Sequence, residues 1–480
     1  MELNEIISQR KAKLESLKAK GAAVYESASS SHIDIIEALN DFREGRRVVL
    51  CGRIMAKRSH GKAAFLDLKD STGKIQLYLK EDLLEGAGFS LFEDTDIADI
   101  IEAEGELFKT RTGEPTVKVE KFLILTKALR PLPEKWHGLK DVELRYRQRY
   151  LDLIANEEVK KVFVTRSRII KAIRNFLDNK GFLEVETPMM HLIPGGAAGR
   201  PFKTFHNEYA LDLYLRIAPE LYLKELLVGG LDKVYEVNRS FRNEGVSTKH
   251  NPEFTMLEVY CAYANYEDMM NLAQDLIIAI AKDVIGQTKI MYQGEAVDLN
   301  LPWQRRSFSS AVKEKFNIDP GDEPEIMLRK LKDKGFALEG SRLSRSQVAK
   351  VIEDMLEQDM NPNPTFVTDY FTNLCPLAKT KKDNPLISER FELFMAGLEI
   401  GNAYSELNDP VEQKRRFEEE IKEAGNDEKK TVDDDYVLAL EHGMPPAGGL
   451  GIGIDRLTML FTDQPSIRDV ILFPLLRPQA

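Results

Sequence analysis

Cysteines are few in this chain, and long apolar runs are missing. Its three cysteines, Cys51, Cys261 and Cys375, lie far apart and form no C-x-x-C spacing. That pattern argues against structural zinc and disulfides, and it fits a reducing cytoplasm. The longest apolar stretches, such as 276–281, are too short to cross a bilayer. The charged segment 1–21 lacks the apolar core of a signal peptide. We therefore expect a cytoplasmic protein with no membrane partner.

Common nucleotide-binding and nucleophile motifs are also missing. The glycine run that begins at Gly449 would need a glycine at 454 for the dinucleotide pattern, and Ile454 stands there. The Gly-Lys pairs at 61–62 and 73–74 are not followed by the serine or threonine of a P-loop. No Ser-His-Asp or Cys-His arrangement suggests an enzyme nucleophile.

The composition is that of a soluble globular enzyme. The 480 residues are 43% hydrophobic and 30% charged, which is enough for two or three domains. The net charge of -11 argues at first sight against a nucleic-acid partner. The charge is uneven, however, because basic residues collect in 10–20 and acidic residues in 416–435. A solvated helix face explains the basic segment equally well.

The N-terminal part of the chain has the pattern of a five-stranded barrel. Turn signals at 70–73 and 112–113 separate its short apolar-alternating segments. The predicted strands are 47–54, 64–69, 74–79, 99–108 and 117–126. Five antiparallel strands in about eighty residues suggest an OB-fold. Alternation places Phe65 and Tyr78 on the polar face, where a single-stranded base can stack.

Two short islands carry the chemistry of the C-terminal part. The first, 241–244, reads Phe-Arg-Asn-Glu, and the second, 449–456, reads Gly-Leu-Gly-Ile-Gly-Ile-Asp-Arg. Alternating glycines remove the side chains from one strand face, so a flat ring or a backbone can lie against it. Arg242 and Arg456 each offer a charged fork for phosphate oxygens.

Together the islands resemble motifs 2 and 3 of the class II aminoacyl-tRNA synthetases, and 181–188 resembles motif 1. The resemblance implies an α+β protein: an N-terminal helix and OB-fold anticodon-binding domain over 1–130, a linker over 131–150 and a class II catalytic domain over 151–480. The expected catalytic architecture is an antiparallel sheet flanked by helices.

The chain looks most similar to the bacterial-type lysyl enzymes of that class. The stretches that carry this similarity are 126–133, 145–152, 216–222, 250–257 and 401–409. The implied activity is a ligase reaction: L-lysine and ATP give lysyl-adenylate, and the lysyl group passes to the 3′-terminal adenosine of tRNA(Lys). Two alternatives are a non-catalytic OB-fold RNA-binding protein with a decayed synthetase domain and a ligase that lysylates a protein.

A lysine substrate needs anionic partners, because a buried unpaired ammonium is costly. Strand parity puts Glu258 and Tyr260 on one face, and Asn402, Tyr404 and Glu406 on another. By resemblance, Glu258, Tyr260 and Glu406 hold the ε-ammonium and Tyr404 packs along the stem. The resemblance further assigns the α-ammonium to Gly196 and Glu220, and the carboxylate to Arg242 and Asn402.

The resemblance also supplies an ATP site and a magnesium site. It assigns ATP contacts to Arg242, Glu244, His250, Phe254 and Arg456, with Arg242 and Arg456 acting in catalysis. Glu392 and Glu399 resemble the Mg²⁺ ligands. If 390–404 is a hairpin that turns at 395–396, these two carboxylates are direct cross-strand neighbours. Strand parity would then separate Glu399 from Asn402 unless a bulge lies at Gly401.

Further expectations concern the substrate loop, the tRNA and the partner subunit. The loop 194–202 looks like a flap over the amino acid, and Gly199 stands where the family pattern has alanine. For the anticodon, Phe65 offers a ring and Gln76 a donor and acceptor on the adjacent strand, and the resemblance places further contacts at Arg58 and Glu114. It also implies a homodimer. The apolar stripe that we expect at the subunit interface consists of Ile169, Ile170, Ile173, Phe176 and Leu177, and the alternative is that this stripe faces its own core.

Overall fold

The computed structural model describes residues 2–26, 31–86, 88–133, 139–197, 199–335, 344–357, 361–424 and 432–478. The chain forms two compact units, Met1–Lys140 and Asp141–Ala480. Residues 134–138 of the predicted linker and residue 198 of the predicted flap lie outside the described ranges.

The first unit is a closed barrel with short helices. Its strands are β1 (Arg47–His60), β2 (Ala63–Lys69), β3 (Lys74–Lys80), β4 (Ile100–Lys109) and β5 (Pro115–Thr126), and its helices are α1 (Leu3–Ala19), α2 (Ile35–Asn40) and α3 (Gly88–Glu93). The strands close in the order β1-β2-β3-β5-β4. The predicted OB-fold is confirmed.

Alternation in β2 and β3 decides which face forms the barrel core. Leu66, Leu68 and Leu77 are fully buried, whereas Phe65 and Tyr78 are only partly buried on the outer face. Because side chains on a strand alternate with a period of two, one sequence pattern supplies both the core and the outer surface.

The N-terminal helix α1 is tied to the barrel by ion pairs. Lys13 pairs with Asp96 at 2.6 Å and Lys20 pairs with Asp94 at 2.7 Å. These two lysines are thus engaged within their own unit.

The second unit contains an eight-stranded sheet, a three-stranded sheet, a two-stranded sheet and helices. Its strands are β6 (Leu183–Glu184), β7 (Met190–His191), β8 (Lys203–His206), β9 (Leu211–Leu215), β10 (Lys233–Phe241), β11 (Glu253–Ala262), β12 (Lys289–Tyr292), β13 (Glu295–Asp298), β14 (Gln304–Ser307), β15 (Thr365–Thr368), β16 (Arg390–Met395), β17 (Leu398–Ser405) and β18 (Ala447–Gly453). Its helices are α4 (Val142–Arg147), α5 (Arg149–Ala155), α6 (Glu157–Asn179), α7 (Glu220–Val228), α8 (Tyr266–Ile280), α9 (Phe308–Phe316), α10 (Pro324–Asp333), α11 (Arg345–Glu357), α12 (Pro410–Ala424), α13 (Asp434–Glu441) and α14 (Ile454–Thr462). A π-helical turn, Ala281–Ile285, extends α8. The three-stranded sheet has the order β7-β9-β8, and the two-stranded sheet pairs β12 with β13.

The large sheet has the order β14-β15-β16-β17-β18-β11-β10-β6. The pairs from β15 to β10 are antiparallel, and only the outer pairs β14·β15 and β6·β10 are parallel. Side chains of α6, α8 and α14 share one hydrophobic core with the sheet. This confirms the predicted antiparallel sheet flanked by helices.

The prediction for the apolar stripe of α6 is wrong. Ile169, Ile173 and Leu177 are fully buried in the unit's own core, and Ile170 and Phe176 pack against that core. An apolar stripe at helical spacing can be buried against any apolar surface, and here the sheet and α8 provide that surface.

The second unit also begins before the predicted boundary at 151. The guanidinium of Arg149 is buried, and its Nε donates a hydrogen bond to the carbonyl of Leu472 at 3.0 Å. Arg149 also pairs with Asp152 at 2.6 Å. In the part of the chain that the structure describes, no helix is long and apolar enough to cross a membrane.

Candidate active site

The glycines of β18 form a bare floor between two strands that carry functional side chains. In register, Gly449 lies between Tyr404 and Tyr260, and Gly451 lies between Asn402 and Glu258. A Cβ added at Gly449 would come within 2.6 Å of the Tyr260 ring. The glycine pattern therefore makes room for the side chains of β11 and β17, as its alternation predicts.

Acidic and phenolic groups converge above this floor. The Tyr260 hydroxyl donates to Glu258 at 3.3 Å, and the Tyr404 hydroxyl donates to Glu220 at 2.8 Å. Glu406 is fully buried, and its Oε1 has no hydrogen-bond partner among the described residues. The structure thus brings together the carboxylates that the sequence assigned to a lysine substrate.

These carboxylates are buried, and burial disfavours their charged forms. Burial, and then the charges of Glu220 and Glu406, raise the pKa of Glu258 to about 8. Burial also raises the pKa of Glu406, although the ammonium of Lys224 opposes that shift. Buried carboxylates with raised pKa values and a free acceptor oxygen are suited to a cationic ligand.

Gly196 and Glu220 lie together at one side of this cluster. Gly196 has a left-handed φ of 84°, and a Cβ on it would lie 3.2 Å from the Cβ of Glu220. Glu220 begins α7, so the N-terminal end of a helix carries its carboxylate.

Arg242 lies just beyond the end of β10, with its guanidinium 5.2 Å from the centre of the Phe254 ring. Its Nε is buried and has no hydrogen-bond partner among the described residues. Burial lowers the pKa of this guanidinium, while Glu399 and Glu244 oppose the shift. An orphaned buried donor next to an aromatic ring fits a phosphate or carboxylate ligand.

Gly199 gives the Arg242 side chain its space. A Cβ at 199 would lie 2.9 Å from Ile217 Cγ2 and 3.1 Å from Arg242 Cδ. A methyl group at this position would therefore crowd Arg242, a contact that the sequence alone did not indicate.

Arg456 lies in the first turn of α14, the helix that follows the glycine strand, and is paired with Glu399. Its Nη1 donates to the Glu399 carbonyl at 2.8 Å and to the Glu399 carboxylate at 2.9 Å. Its Nη2 lies 3.4 Å from His250 Nε2. Burial alone would raise the pKa of Glu399, but Arg456, together with the charges of Arg390 and Lys350, lowers it. Glu244 is exposed on the loop before His250.

The predicted pairing of Glu392 with Glu399 is wrong. The hairpin turns at Ala396 and Gly397, both at positive φ, and Glu392 lies opposite Asn402. An irregularity at Ile400 interrupts the alternation of β17. Glu399 and Asn402 therefore lie on the same, half-buried face, whereas Ile400 and Gly401 are buried. A bulge next to Gly401 was one of the two outcomes that strand parity allowed.

The donor set near Glu399 suits a hard cation only in part. Glu399 is ionised and half-exposed, and it offers oxygen ligands of the kind that Mg²⁺ prefers. Glu392 is engaged already: the Tyr370 hydroxyl donates to it at 2.7 Å, and Arg390 pairs with its other oxygen. Burial raises the pKa of Glu392, and the charge of Glu399 adds to the shift. No cluster of three or more metal-ligating side chains occurs within the described ranges.

The outer face of the barrel carries the predicted anticodon residues. The rings of Phe65 and Tyr78 are 5.1 Å apart, and Arg58 lies opposite Phe65 on β1. Gln76 accepts a hydrogen bond from Thr116 at 3.1 Å. Glu114 is exposed in the turn that leads into β5.

Several side chains at these sites were missed by sequence reasoning. They are Lys224 among the pocket carboxylates, Arg390 and Tyr370 on Glu392, and Phe108, whose ring lies 6.2 Å from Tyr78. The i, i+4 spacing of Glu220 and Lys224 was a visible signal for the first. Alternation in β4 was the signal for Phe108.

Comparisons with known proteins match both units. Residues 141–477 match the family described as tRNA synthetases class II (D, K and N), and residues 48–125 match the OB-fold nucleic acid binding domain. A lysine–tRNA ligase of Pelotomaculum thermopropionicum is 55% identical over 486 residues, covering 100% of this chain and 96% of that protein. One of Carboxydothermus hydrogenoformans is 54% identical, covering 100% and 99%. One of Staphylococcus aureus is 51% identical, covering 92% and 90%.

Proposed function

This chain belongs to the class II tRNA synthetases of the D, K and N type, and we propose that it is a lysine–tRNA ligase. The observation that carries the assignment is the pocket above the glycine strand, where Glu220, Glu258 and Glu406 converge. An aspartate or asparagine substrate has no side-chain ammonium to neutralise these carboxylates, whereas lysine does.

In the first step a carboxylate oxygen of lysine attacks the α-phosphorus of ATP, and pyrophosphate leaves with the electron pair of the broken P–O bond. Arg242, with its free buried Nε, aligns the carboxylate and the α-phosphate. Arg456 neutralises charge on the distal phosphates after it turns from Glu399.

Lysine is held at both ends in this proposal. Glu258, Tyr260 and Glu406 bind its ε-ammonium, and Tyr404 packs along its stem. Gly196 and Glu220 bind the α-ammonium, and Asn402 assists Arg242 at the carboxylate. Glu244, His250 and Phe254 complete the ATP site. In the second step the 3′-hydroxyl of the tRNA attacks the lysyl carbonyl carbon, and AMP leaves.

We propose that Mg²⁺ accompanies ATP, with Glu399 as the main protein ligand and Glu392 as the second. When bound, the ion would screen the negative charge on the phosphates. For Glu392 this role requires that Arg390 release its carboxylate, because the pair is closed in this structure.

We further propose a homodimer and a cytoplasmic location. Large apolar side chains are exposed after α6, namely Leu183, Met189, Met190 and Leu192. Such a cluster is typical of a protein interface, and it replaces the α6 stripe as the candidate subunit surface.

The outer face of the barrel, with Arg58, Phe65, Gln76 and Glu114, is the proposed site for the tRNA(Lys) anticodon.

Lysine-dependent ATP–pyrophosphate exchange by the full chain tests the proposal. We expect exchange with lysine and no exchange with aspartate or asparagine at equal concentration. Exchange that depends on aspartate instead would contradict the assignment of the pocket.

A further inference from the structure

A lysine of the chain itself lies within the proposed lysine site. The side chain of Lys224 is 0% exposed, and its Nζ lies 2.6 Å from Glu220 Oε1. The same ammonium is paired with Glu406 Oε2 and lies 5.5 Å from the centre of the Tyr404 ring. One side chain therefore touches the carboxylate proposed for the α-ammonium and the carboxylate proposed for the ε-ammonium.

This arrangement differs from an ordinary structural ion pair. Glu406 uses only one oxygen on Lys224, and its Oε1 has no hydrogen-bond partner among the described residues. The two oxygens of Glu220 also have different partners: Oε1 accepts a hydrogen bond from Lys224, and Oε2 accepts one from the Tyr404 hydroxyl. Lys224 thus fixes each carboxylate by one oxygen, and the other oxygen of Glu406 stays available.

The charges in the pocket match a substrate with two ammonium groups. When the three carboxylates are ionised, Lys224 cancels one of them, and two negative charges remain. Lysine brings an α-ammonium and an ε-ammonium, while its carboxylate has Arg242. Without Lys224, one buried carboxylate would have no partner even in the substrate complex, which is strongly unfavourable.

We propose that Lys224 is a positioning residue of the lysine site. It holds Glu220 and Glu406 in place and cancels one pocket charge, so that a substrate with two ammonium groups completes the neutralisation. This inference rests on the proposed function, which supplies the roles of Glu220 and Glu406.

The test is Lys224→Met, which keeps a long stem and removes the ammonium. ATP–pyrophosphate exchange is measured with the full chain while lysine and ATP are varied separately. We expect the KM for lysine to rise about tenfold or more, because the two carboxylates lose their shared partner. The KM for ATP should stay close to that of the wild-type chain.

Lys127→Met is the matched control. Lys127 is also fully buried and pairs with two carboxylates, Asp96 at 2.6 Å and Asp99 at 2.8 Å, but it lies in the barrel unit. Loss of a buried ion pair by itself lowers the active fraction, so this variant should lose specific activity without a change in the KM for lysine.

A double variant keeps the inference testable if Lys224→Met alone does not fold. In Lys224→Met/Glu406→Gln the ammonium and its partner charge are removed together. Because Lys224 acts in part through Glu406, the KM for lysine should rise less than about tenfold from Glu406→Gln to the double variant. A further rise of about tenfold or more would overturn the inference.

The two proposals fail in different ways. Absence of lysine-dependent exchange in the wild-type chain would overturn the proposed function and the role of Lys224 with it. Robust wild-type exchange, together with an unchanged KM for lysine in Lys224→Met, would overturn the role of Lys224 alone. Equal rises in the KM values for lysine and ATP would also overturn it.

Discussion

Glu258 illustrates how burial prepares one side chain for a cationic substrate. It lies on β11 opposite Gly451, and burial with two neighbouring carboxylates raises its pKa to about 8. At neutral pH the empty pocket therefore holds a proton that an incoming ammonium must displace. The raised pKa is a property of the free site, and it reports directly on ligand binding.

We predict that lysine binding releases a proton from Glu258 near pH 7. Since the raised pKa is that of the free carboxyl, lysine affinity should increase as pH rises from about 6.5 to about 8.5, while the substrate ε-ammonium stays charged up to about pH 10. Calorimetry of lysine binding in two buffers of different ionisation enthalpy measures the release. Glu258→Gln should bind lysine weakly and release fewer protons than the wild-type chain, because Glu406 is then the one pocket carboxyl that keeps a raised pKa. Undiminished release in that variant would refute the assignment.

A methyl group added to one glycine of β18 tests whether this strand forms the floor of the lysine site. In Gly449→Ala the new Cβ would come within 2.6 Å of the Tyr260 ring and would overlap the Glu406 carboxylate. We expect lysine binding without ATP to be lost, because the pocket wall has to move.

Gly453→Ala is the control on the same strand. Its Cβ would meet nothing closer than 3.7 Å, so lysine binding should remain. Equal binding by the two variants would show that the glycine floor does not form the site.

Among the strands, the bulge in β17 decides whether Glu399 and Asn402 lie on the same face. In β17 the extra residue Ile400 brings Glu399 onto the same half-exposed side as Asn402. An uninterrupted strand would turn Glu399 toward the opposite face. The bulge therefore joins a residue proposed for the phosphates to one proposed for the amino acid.

The outer face of the barrel is a second element-level feature. Phe65, Tyr78 and Phe108 form a row of rings with centroid distances of 5.1 and 6.2 Å. They lie on strands that are otherwise polar on this face, so the row is suited to stack unpaired bases.

We predict that Phe65→Ala weakens tRNA recognition by about 1–3 kcal/mol, the value of one base–aromatic stack. Aminoacylation at varied tRNA concentration measures the loss. Lysine-dependent exchange serves as the internal control, because that reaction involves no tRNA. If exchange falls in step with aminoacylation, Phe65 supports the fold instead of the RNA.

For the molecule as a whole, the apolar cluster that follows α6 (Leu183, Met189, Met190 and Leu192) has exposed fractions of 49% to 63%. The α6 stripe, in contrast, is buried in the unit's own core, so the two surfaces have separate roles. Exposed methionine and leucine side chains at this density favour association between copies of the chain.

We predict that Met190→Glu produces monomers at micromolar concentration, because a buried unpaired carboxylate at the interface is unfavourable. Light scattering measures the mass. Met291→Glu is the matched control, since Met190 is 55% exposed and Met291 is 54% exposed but lies on β12 and is not a member of the cluster. A monomeric wild-type chain would contradict the homodimer.

The class of both units was predictable from residue patterns alone. Alternation fixes the barrel core through Leu66, Leu68 and Leu77, and strand parity places Glu258 beside Tyr260. These inferences hold because side-chain direction in a strand depends only on position along the chain. The glycine pattern likewise predicted a bare strand face, and Gly449 lies on it.

Which surface covers each apolar pattern, and which side chains meet, depends on long-range packing. Periodicity shows that the α6 stripe is apolar but does not identify the surface that covers it. A bulge at Ile400 changed a pairing that regular strands would have dictated. The position of Lys224 between Glu220 and Glu406 depends on a contact across 182 residues of chain. Such contacts arise when α7 packs against the sheet, and no local pattern encodes that distance.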